Sequence, residues 1–275
     1  DESANAFSAV VTMKADGGGE DFGNITFVDS ADIDFATSAG SNGDLYINSS
    51  TDGKVGGSLS VTATTGNITD TVALQVATTS SFTTSADDAT ITLNTPAALT
   101  GAVTLSTSGS AGHATIDNGT TILKIAASTV RGNLTLTSGA STSGSNYAIM
   151  DTGTLNVSGN LIATTDANDG VIDLGSLAVN GSFDLTTDGS GNATVVNATA
   201  LNFITSGIGG NLSATATTGN ITQSTGALTV SGTTTLVTSA QAATIDLSTI
   251  TTNAFTGELL ITTNDNNSPA DGSYE

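Results

Sequence analysis

The sequence predicts an all-β fold: a parallel, three-faced β-helix solenoid of about nine to ten coils with a mean length of 26 residues. Two observations support this prediction. A short strand that opens Gly-x-Φ, where Φ is apolar, recurs along the chain, and two further strand types recur between its copies. A recurring period of this size is typical of solenoids, in which each coil packs only against its neighbours.

The first strand type is marked by its first apolar position. Its spacing varies from 21 to 34 residues. Two copies are imperfect, because Ser80 takes the place of the glycine before Phe82 and Thr234 takes the place of the apolar residue. The copies begin at Ile25, Leu59, Phe82, Val103, Leu134, Leu161, Phe183, Leu212, Thr234 and Leu259.

The other two strand types complete each coil. The second type comprises 89–93, 114–118, 147–151, 170–174, 193–197, 219–223 and 243–247; the third comprises 73–76, 122–125, 154–157, 176–179, 200–203 and 227–230. All alternate apolar and polar residues, which is typical of half-buried strands. Such short strands are not stable alone, so we expect each to pair with its equivalent in the next coil, roughly 4.8 Å away.

This register predicts which side chains point into the solenoid and where loops bulge. Surplus residues in the longer coils are expected to form loops around 35–55, 108–120, 138–147 and 186–192. A block duplication supports the repeat, because 57–70 matches 210–223 at 11 of 14 positions. The predicted inward residues are Leu59, Val61, Ile91, Leu93, Leu134, Leu136, Leu155, Val157, Leu212, Leu228, Val230, Ile245 and Leu247.

The repeat favours one elongated domain. Residues 1–22 are expected to form an N-terminal cap or first coil, 23–265 the solenoid and 266–275 a polar tail. The chain has 25 acidic and four basic residues and a net charge of −21. That charge argues against nucleic-acid binding, which needs clusters of Lys and Arg. No stretch approaches 18 apolar residues, so we expect no membrane insertion.

One acidic turn is a candidate calcium site. Asp166, Asn168 and Asp169 precede Gly170 and supply oxygen ligands in the manner of the opening of a calcium loop. The alternative is an ordinary turn, since such strings are frequent in chains rich in Gly, Asn and Asp. Weaker candidates are 16–21 and the tail with Asp265 and Asp271. Calcium is therefore the one cofactor under consideration.

Catalytic groups are scarce. The chain has one histidine, His113, which is expected to lie in a loop, and no cysteine. Lys124 and Arg131 are close in sequence, but two basic residues on a surface are more typical of solvation than of catalysis. We therefore expect no enzymatic activity, although a polysaccharide-active β-helix enzyme stays open as an alternative. Outward threonines leave ice binding as a further, weaker alternative.

The segment GGNLSATATTGNITQSTGALTVSGTTTLVT resembles the repeats of filamentous-haemagglutinin-type exoproteins and related giant bacterial β-strand-repeat surface proteins. The resemblance covers about 23–265 and implies a right-handed, secreted β-helix that acts as an extracellular fibre or adhesin shaft. The expected partners are further copies joined head to tail, or flanking repeats of a longer fibre. The alternative is a calcium-dependent matrix or surface-layer component. The Asn-Pro-Asn-Leu secretion signature of that family is absent, which leaves the secretion route open.

Overall fold

The computed structural model of the chain describes residues 11–13, 23–35, 44–47, 54–139 and 146–264. Every element in these ranges is a β-strand, and the strands pair in parallel from one coil to the next. The predicted parallel β-solenoid is therefore confirmed.

The strands are β1 Val11–Met13, β2 Ile25–Asp29, β3 Ile33–Phe35, β4 Asp44–Ile47, β5 Lys54–Val55, β6 Leu59–Ala63, β7 Ile68–Asp70, β8 Gln75–Val76, β9 Ser80–Asp87, β10 Ile91–Leu93, β11 Ala98–Leu99, β12 Ala102–Ser108, β13 Ala114–Asp117, β14 Leu123–Ile125, β15 Ser128–Val130, β16 Leu134–Thr137, β17 Tyr147–Asp151, β18 Leu155–Val157, β19 Leu161–Thr164, β20 Val171–Val179, β21 Phe183–Thr186, β22 Ala193–Asn197, β23 Leu201–Phe203, β24 Ser206–Ile208, β25 Leu212–Ala216, β26 Ile221–Gln223, β27 Leu228–Val230, β28 Thr234–Gln241, β29 Ile245–Asp246, β30 Ala254–Phe255 and β31 Leu259–Asn264.

Three parallel sheets run along the solenoid. Sheet I follows the path β2-β6-β9-β12-β14-β17-β20-β22-β25-β28-β31, with β15 and β18 beside it. Sheet II follows β1-β4-β3-β7-β10-β13-β16-β19-β21-β23-β26-β29, with β24, β27 and β30 beside it. Sheet III contains only β5, β8 and β11. The unequal lengths show that the three faces are not continuous from end to end.

The prediction that each strand type stacks on itself is wrong in the middle of the chain. Val103 pairs with Ser80 and Ile125 in sheet I, whereas Leu134 pairs with Ala114 and Leu161 in sheet II. The Gly-x-Φ strands therefore move from one face to another and back. The sequence could not show this, because all three strand types carry the same apolar alternation.

Two changes of face cause this shift. At the first face change, sheet III ends with β11, and β12 pairs with both β14 and β15 in the next coil. At the second face change, the face formed by β15, β18 and the end of β20 stops at Asn197, which pairs with Leu177. In the same coil, β21 pairs with both β23 and β24. In each case one face ends and another divides, so the cross-section keeps three sides.

The long spacings after Val103 and Phe183 are explained by additional strands. Two of the strands that were not predicted, β15 and β24, each lie at a face change. The loop expected over 108–120 contains β13 as well as a turn, whereas 187–192 does form a turn. Of the other two expected loops, 36–43, 48–53 and 140–145 lie outside the described residues.

An asparagine closes the face that ends at each change. The Asn118 side chain accepts a hydrogen bond from Leu99 N (2.8 Å) and donates one to Leu99 O (3.2 Å). Asn197 makes the same two bonds with Val179 N (2.9 Å) and Val179 O (3.0 Å). Each side-chain amide thus replaces the backbone of a missing strand, which is required because a buried peptide group without a partner is costly.

A serine lies where the other face divides. The Ser128 hydroxyl accepts a hydrogen bond from Leu105 N at 3.0 Å, and the Ser206 hydroxyl accepts one from Leu185 N at 3.1 Å. These backbone N–H groups lie opposite the gap between the two daughter strands. The matched Asn and Ser positions relate the two changes of face. Our sequence analysis placed both asparagines in strands of the second type, ATIDN at 114–118 and ATVVN at 193–197, but did not predict that they close a face.

Glycine and asparagine build the corner before each Gly-x-Φ strand. Gly159 N donates to Gly132 O (3.0 Å), and a Cβ at Gly159 would lie 2.7 Å from that oxygen. Beside it, the Asn133 side chain accepts a hydrogen bond from Asn160 N at 2.9 Å. The close approach of neighbouring corners therefore requires glycine, and the asparagine after the glycine accepts a backbone hydrogen bond from the next coil. This corner also accounts for Asn-x-Ser/Thr strings such as Asn133-Leu134-Thr135, because the asparagine is followed by one inward apolar residue and then by one outward polar residue.

The predicted inward residues are buried, apart from Ile245 and Leu247, which are partly buried against the core. Two polar residues share this interior. Ser80 pairs with Leu59 and Val103, and Thr234 pairs with Leu212 and Leu259, so both occupy inward positions. Neither hydroxyl has a hydrogen-bond partner. The prediction that one copy of the motif begins at Phe82 is therefore wrong by two residues, because Ser80 stands at the first apolar position and Phe82 pairs with Val61. Ser80 and Thr234 are equivalent buried hydroxyls in the two halves of the duplication.

Asn118→Ala tests the closure of the ending face. It should lower the free energy of unfolding by about 3 kcal/mol, because the buried N–H and C=O of Leu99 lose their partner. The measurement is chemical denaturation followed by circular dichroism. Asn156→Ala is the control: this exposed residue makes one long contact, 3.5 Å from Ser128 O, and should change stability by less than about 0.5 kcal/mol. Equal effects would contradict the role of Asn118.

Removal of two buried hydroxyls, one without a partner and one with a partner, should change the stability in opposite directions. Thr234→Val removes an unpartnered hydroxyl at nearly constant shape and should raise stability by roughly 1 kcal/mol. Ser206→Ala removes the acceptor of Leu185 N and should lower it by roughly 1 to 2 kcal/mol. Thermal unfolding of the two variants beside the parent chain checks both signs. A loss of stability in Thr234→Val would show that its hydroxyl has a partner.

Candidate functional site

Wide turns project from the solenoid where a buried threonine lies next to the end of a strand. The Thr107 hydroxyl donates to Gly112 O (2.6 Å), and the Thr187 hydroxyl donates to Gly191 O (2.8 Å). Thr165 makes the same bond to Gly170 O at 3.0 Å. All three threonines are buried, so each turn is held from inside while its outer residues stay in solvent.

The predicted calcium residues lie in one of these turns. Asp166, Asn168 and Asp169 follow β19 and are exposed. Asn168 and Asp169 have φ values of 58° and 54°, a left-handed conformation that Asn and Asp tolerate. One Asp169 carboxylate oxygen accepts a hydrogen bond from Ser190 N at 2.7 Å. The geometry of an ordinary turn therefore accounts for Asp169 without a metal.

Negative charge nevertheless gathers around Asp166. Although the Asp166 side chain is largely exposed, partial desolvation of its carboxylate raises its pKa above its usual range, and the carboxylates of Asp117 and Asp188 raise it further. Within the described ranges, no group of three or more His, Cys, Asp or Glu side chains has a geometry that could hold a metal ion. Calcium binding at Asp166, Asn168 and Asp169 stays a prediction. The weaker candidates 16–21, Asp265 and Asp271 lie outside the described residues.

The few candidate catalytic side chains serve the fold or face solvent. His113 is exposed, and its Nδ1 accepts a hydrogen bond from Asn133 N at 2.8 Å, the part that asparagine plays at other corners. The Lys124 Nζ donates to Thr100 O at 3.4 Å on the surface. These contacts bring neither side chain to a second catalytic group.

A polar groove of about 520 Å³ lies at the first face change. Its lining residues are Asp87, Ser108, Gly109, Ser110, Arg131 and Ser158. They lie at the ends of β9 and β12 or just beyond the ends of β12, β15 and β18, so four successive coils contribute to one groove. Our sequence analysis treated Arg131 as a solvated surface residue, because nothing in the linear order indicates that these serines converge beside it.

The last strand of sheet I exposes apolar side chains. Leu259, Leu260 and Ile261 in β31 are 43%, 43% and 54% exposed. Leu259 and Ile261 pair with Thr234 and Leu236 in β28, and these two partners are fully buried.

In the described part of the chain, no helix is long and apolar enough to cross a membrane.

Asp70 is a buried carboxylate at the end of β7. It accepts hydrogen bonds from Asn94 N (2.9 Å) and Thr95 N (3.3 Å). Burial nevertheless raises the pKa of Asp70 above its usual range, with a smaller upward contribution from Asp34. Folding therefore stabilises the protonated acid relative to the ionised one, so the ionised carboxylate costs stability at neutral pH.

Asp70→Asn should raise the unfolding midpoint at pH 7, because the amide keeps an acceptor oxygen and removes the buried charge. The gain should vanish as the pH falls below 3.8, where Asp70 is protonated in both states. Asp246→Asn is the control of opposite sign, since hydrogen bonds from Ser248 lower the pKa of Asp246. Midpoints measured from pH 3 to 7 check both. A gain in Asp70→Asn that persists at pH 3 would contradict the assignment.

Comparison with known proteins identifies the repeat. The model of a family described as "Repeats of unknown function (DUF5649)" matches residues 22–106 and 190–262, together more than half of the chain. These segments contain the two halves of the duplication. No curated protein and no solved structure matches, and nothing links the chain to filamentous-haemagglutinin-type exoproteins. The chain belongs to the family of DUF5649 repeats.

Proposed function

We propose that this chain is a structural β-solenoid outside the cell, a fibre subunit or adhesin shaft of a bacterial surface. The observation that carries the proposal is the exposed strand β31. In the part of the chain that the structure describes, no further coil covers its inward side chains Leu259 and Ile261, as coils cover their equivalents elsewhere. A further coil would pair with β31 and bury them. That coil would come from a second copy joined head to tail, or from flanking repeats of a longer fibre.

The surface charge suits such a fibre. With a net charge of −21, parallel rods repel one another sideways, so growth along the axis is favoured over bundling. Divalent cations would weaken this repulsion. The stacked core and the ladders between coils supply rigidity along the same axis. The proposal assigns no catalytic activity to the chain.

Negative-stain microscopy and light scattering of the purified chain test assembly. We expect rods that lengthen with concentration, and we expect Ile261→Asp to abolish lengthening because it places a charge in the end-to-end contact. Thr262→Asp is the matched control, since Thr262 is the outward neighbour on the same strand and should leave lengthening intact. A monodisperse monomer at high concentration, with and without calcium, would contradict head-to-tail assembly.

A calcium-dependent matrix or surface-layer component is the second candidate. The like charges of Asp117, Asp166 and Asp188 support it, since a divalent cation would relieve their repulsion. Isothermal titration with calcium should then show binding that Asp166→Asn weakens and Asp246→Asn does not. The absence of any heat of binding would rule out this candidate.

A further inference from the structure

The groove at the first face change has a structural cause. The wide turn after β12 carries Ser108, Gly109 and Ser110, whereas the corners after β15 and β18 are tight and lead directly into Gly132 and Gly159. The wide turn therefore overhangs the narrower coils that follow. At a strand spacing of about 4.8 Å, four coils give a groove roughly 14 Å long.

Arg131 lies in this groove with an unused guanidinium group. The Arg131 backbone N–H donates to the buried Thr107 hydroxyl at 3.0 Å, and this hydrogen bond positions the backbone from which the side chain extends. Among the residues that the structure describes, none accepts a hydrogen bond from the guanidinium or forms an ion pair with it. Arg131 is the only arginine in a chain with 25 acidic residues. Its five N–H donors form a planar fork that matches a carboxylate.

We propose that this groove binds a carboxylated sugar. The sugar carboxylate pairs with Arg131, and its hydroxyls meet the hydroxyls of Ser108, Ser110 and Ser158. Asp87, at the end of β9, accepts hydrogen bonds from sugar hydroxyls. Because an ionised carboxylate can only accept, the ligand must carry hydrogen-bond donors as well as a carboxylate.

The lining excludes simpler ligands. A bare sulfate offers only acceptors and would face the negative charge of Asp87. A neutral sugar would leave the guanidinium without a partner. The groove is open to solvent, and its volume of about 520 Å³ leaves room for a single sugar ring. The lining therefore favours a ligand that carries both an anionic group and hydroxyl donors, and we assign that anionic group as a carboxylate.

The second face change serves as an internal comparison. Gly209 takes the place of Arg131 there, since its N–H donates to the Thr187 hydroxyl at 2.9 Å. A Cβ at Gly209 would collide with Gly189 O, so the position has no room for a side chain. Asp188 follows Thr187 as Ser108 follows Thr107. This corner is acidic and lacks a cation, so carboxylate binding is specific to the first face change.

Saturation-transfer difference NMR with galacturonate, galactose and galactose 6-sulfate tests the site, in the presence of a chelator that removes calcium bridges. Only galacturonate should bind the parent chain. Arg131→Gln should weaken binding at least tenfold, and Arg131→Lys should weaken it less, because an ammonium keeps the charge but loses the fork. Lys124→Gln is the matched control and should bind as the parent does. Circular dichroism confirms that each variant is folded.

Three outcomes would overturn the proposal: no binding of galacturonate to the parent chain, equal binding by folded Arg131→Gln, or equal binding of galactose and galacturonate. Equal binding of galactose 6-sulfate would reduce the site to one for any anion and would also overturn the carboxylate assignment. Fibre assembly does not enter this measurement, so its result is independent of the proposed structural role.

Discussion

The structure depends on one constraint: the backbone of every coil must find its hydrogen-bond partners in the neighbouring coils. Parallel strands about 4.8 Å apart meet this requirement along the faces, but corners and interruptions need other solutions. At corners, Gly132 and Gly159 allow backbones to approach, and Asn133 supplies an acceptor oxygen. Where a face ends, Asn118 and Asn197 replace the absent strand. The composition, rich in Gly, Asn, Ser and Thr, follows from these tasks.

The face changes link this constraint to possible function. A uniform solenoid presents the same corner in every coil, so its surface has few concave sites. A change of face places a wide turn beside the tight corners of the next coils. The resulting offset in the surface is called a step below. The first step carries Arg131 and the second carries Asp188 with the predicted calcium turn nearby. Two similar steps thus differ in charge, and we propose that the cationic one selects an acidic sugar.

The position of these steps agrees with the family match. The repeats cover 22–106 and 190–262, which share one arrangement of faces. The intervening coils use another arrangement and contain both Arg131 and Asp166. The matched repeats therefore supply a common structural unit. Most of the side chains proposed to bind a ligand, among them Arg131 and Asp166, lie between the repeats, whereas Asp87 lies in the first repeat.

The sequence by itself determined the parallel solenoid and the side of each strand that faces the core. Leu134 and Leu136 are buried as predicted, because a period of two places alternate residues on opposite sides of any strand. Only the tertiary structure decided which strands stack. Leu134 lies on Ala114 and not on Val103, since the apolar alternation is the same on all three faces and identifies none of them. For the same reason only the fold could bring Asp87, Arg131 and Ser158 together, because the coil that carries each one depends on that stacking.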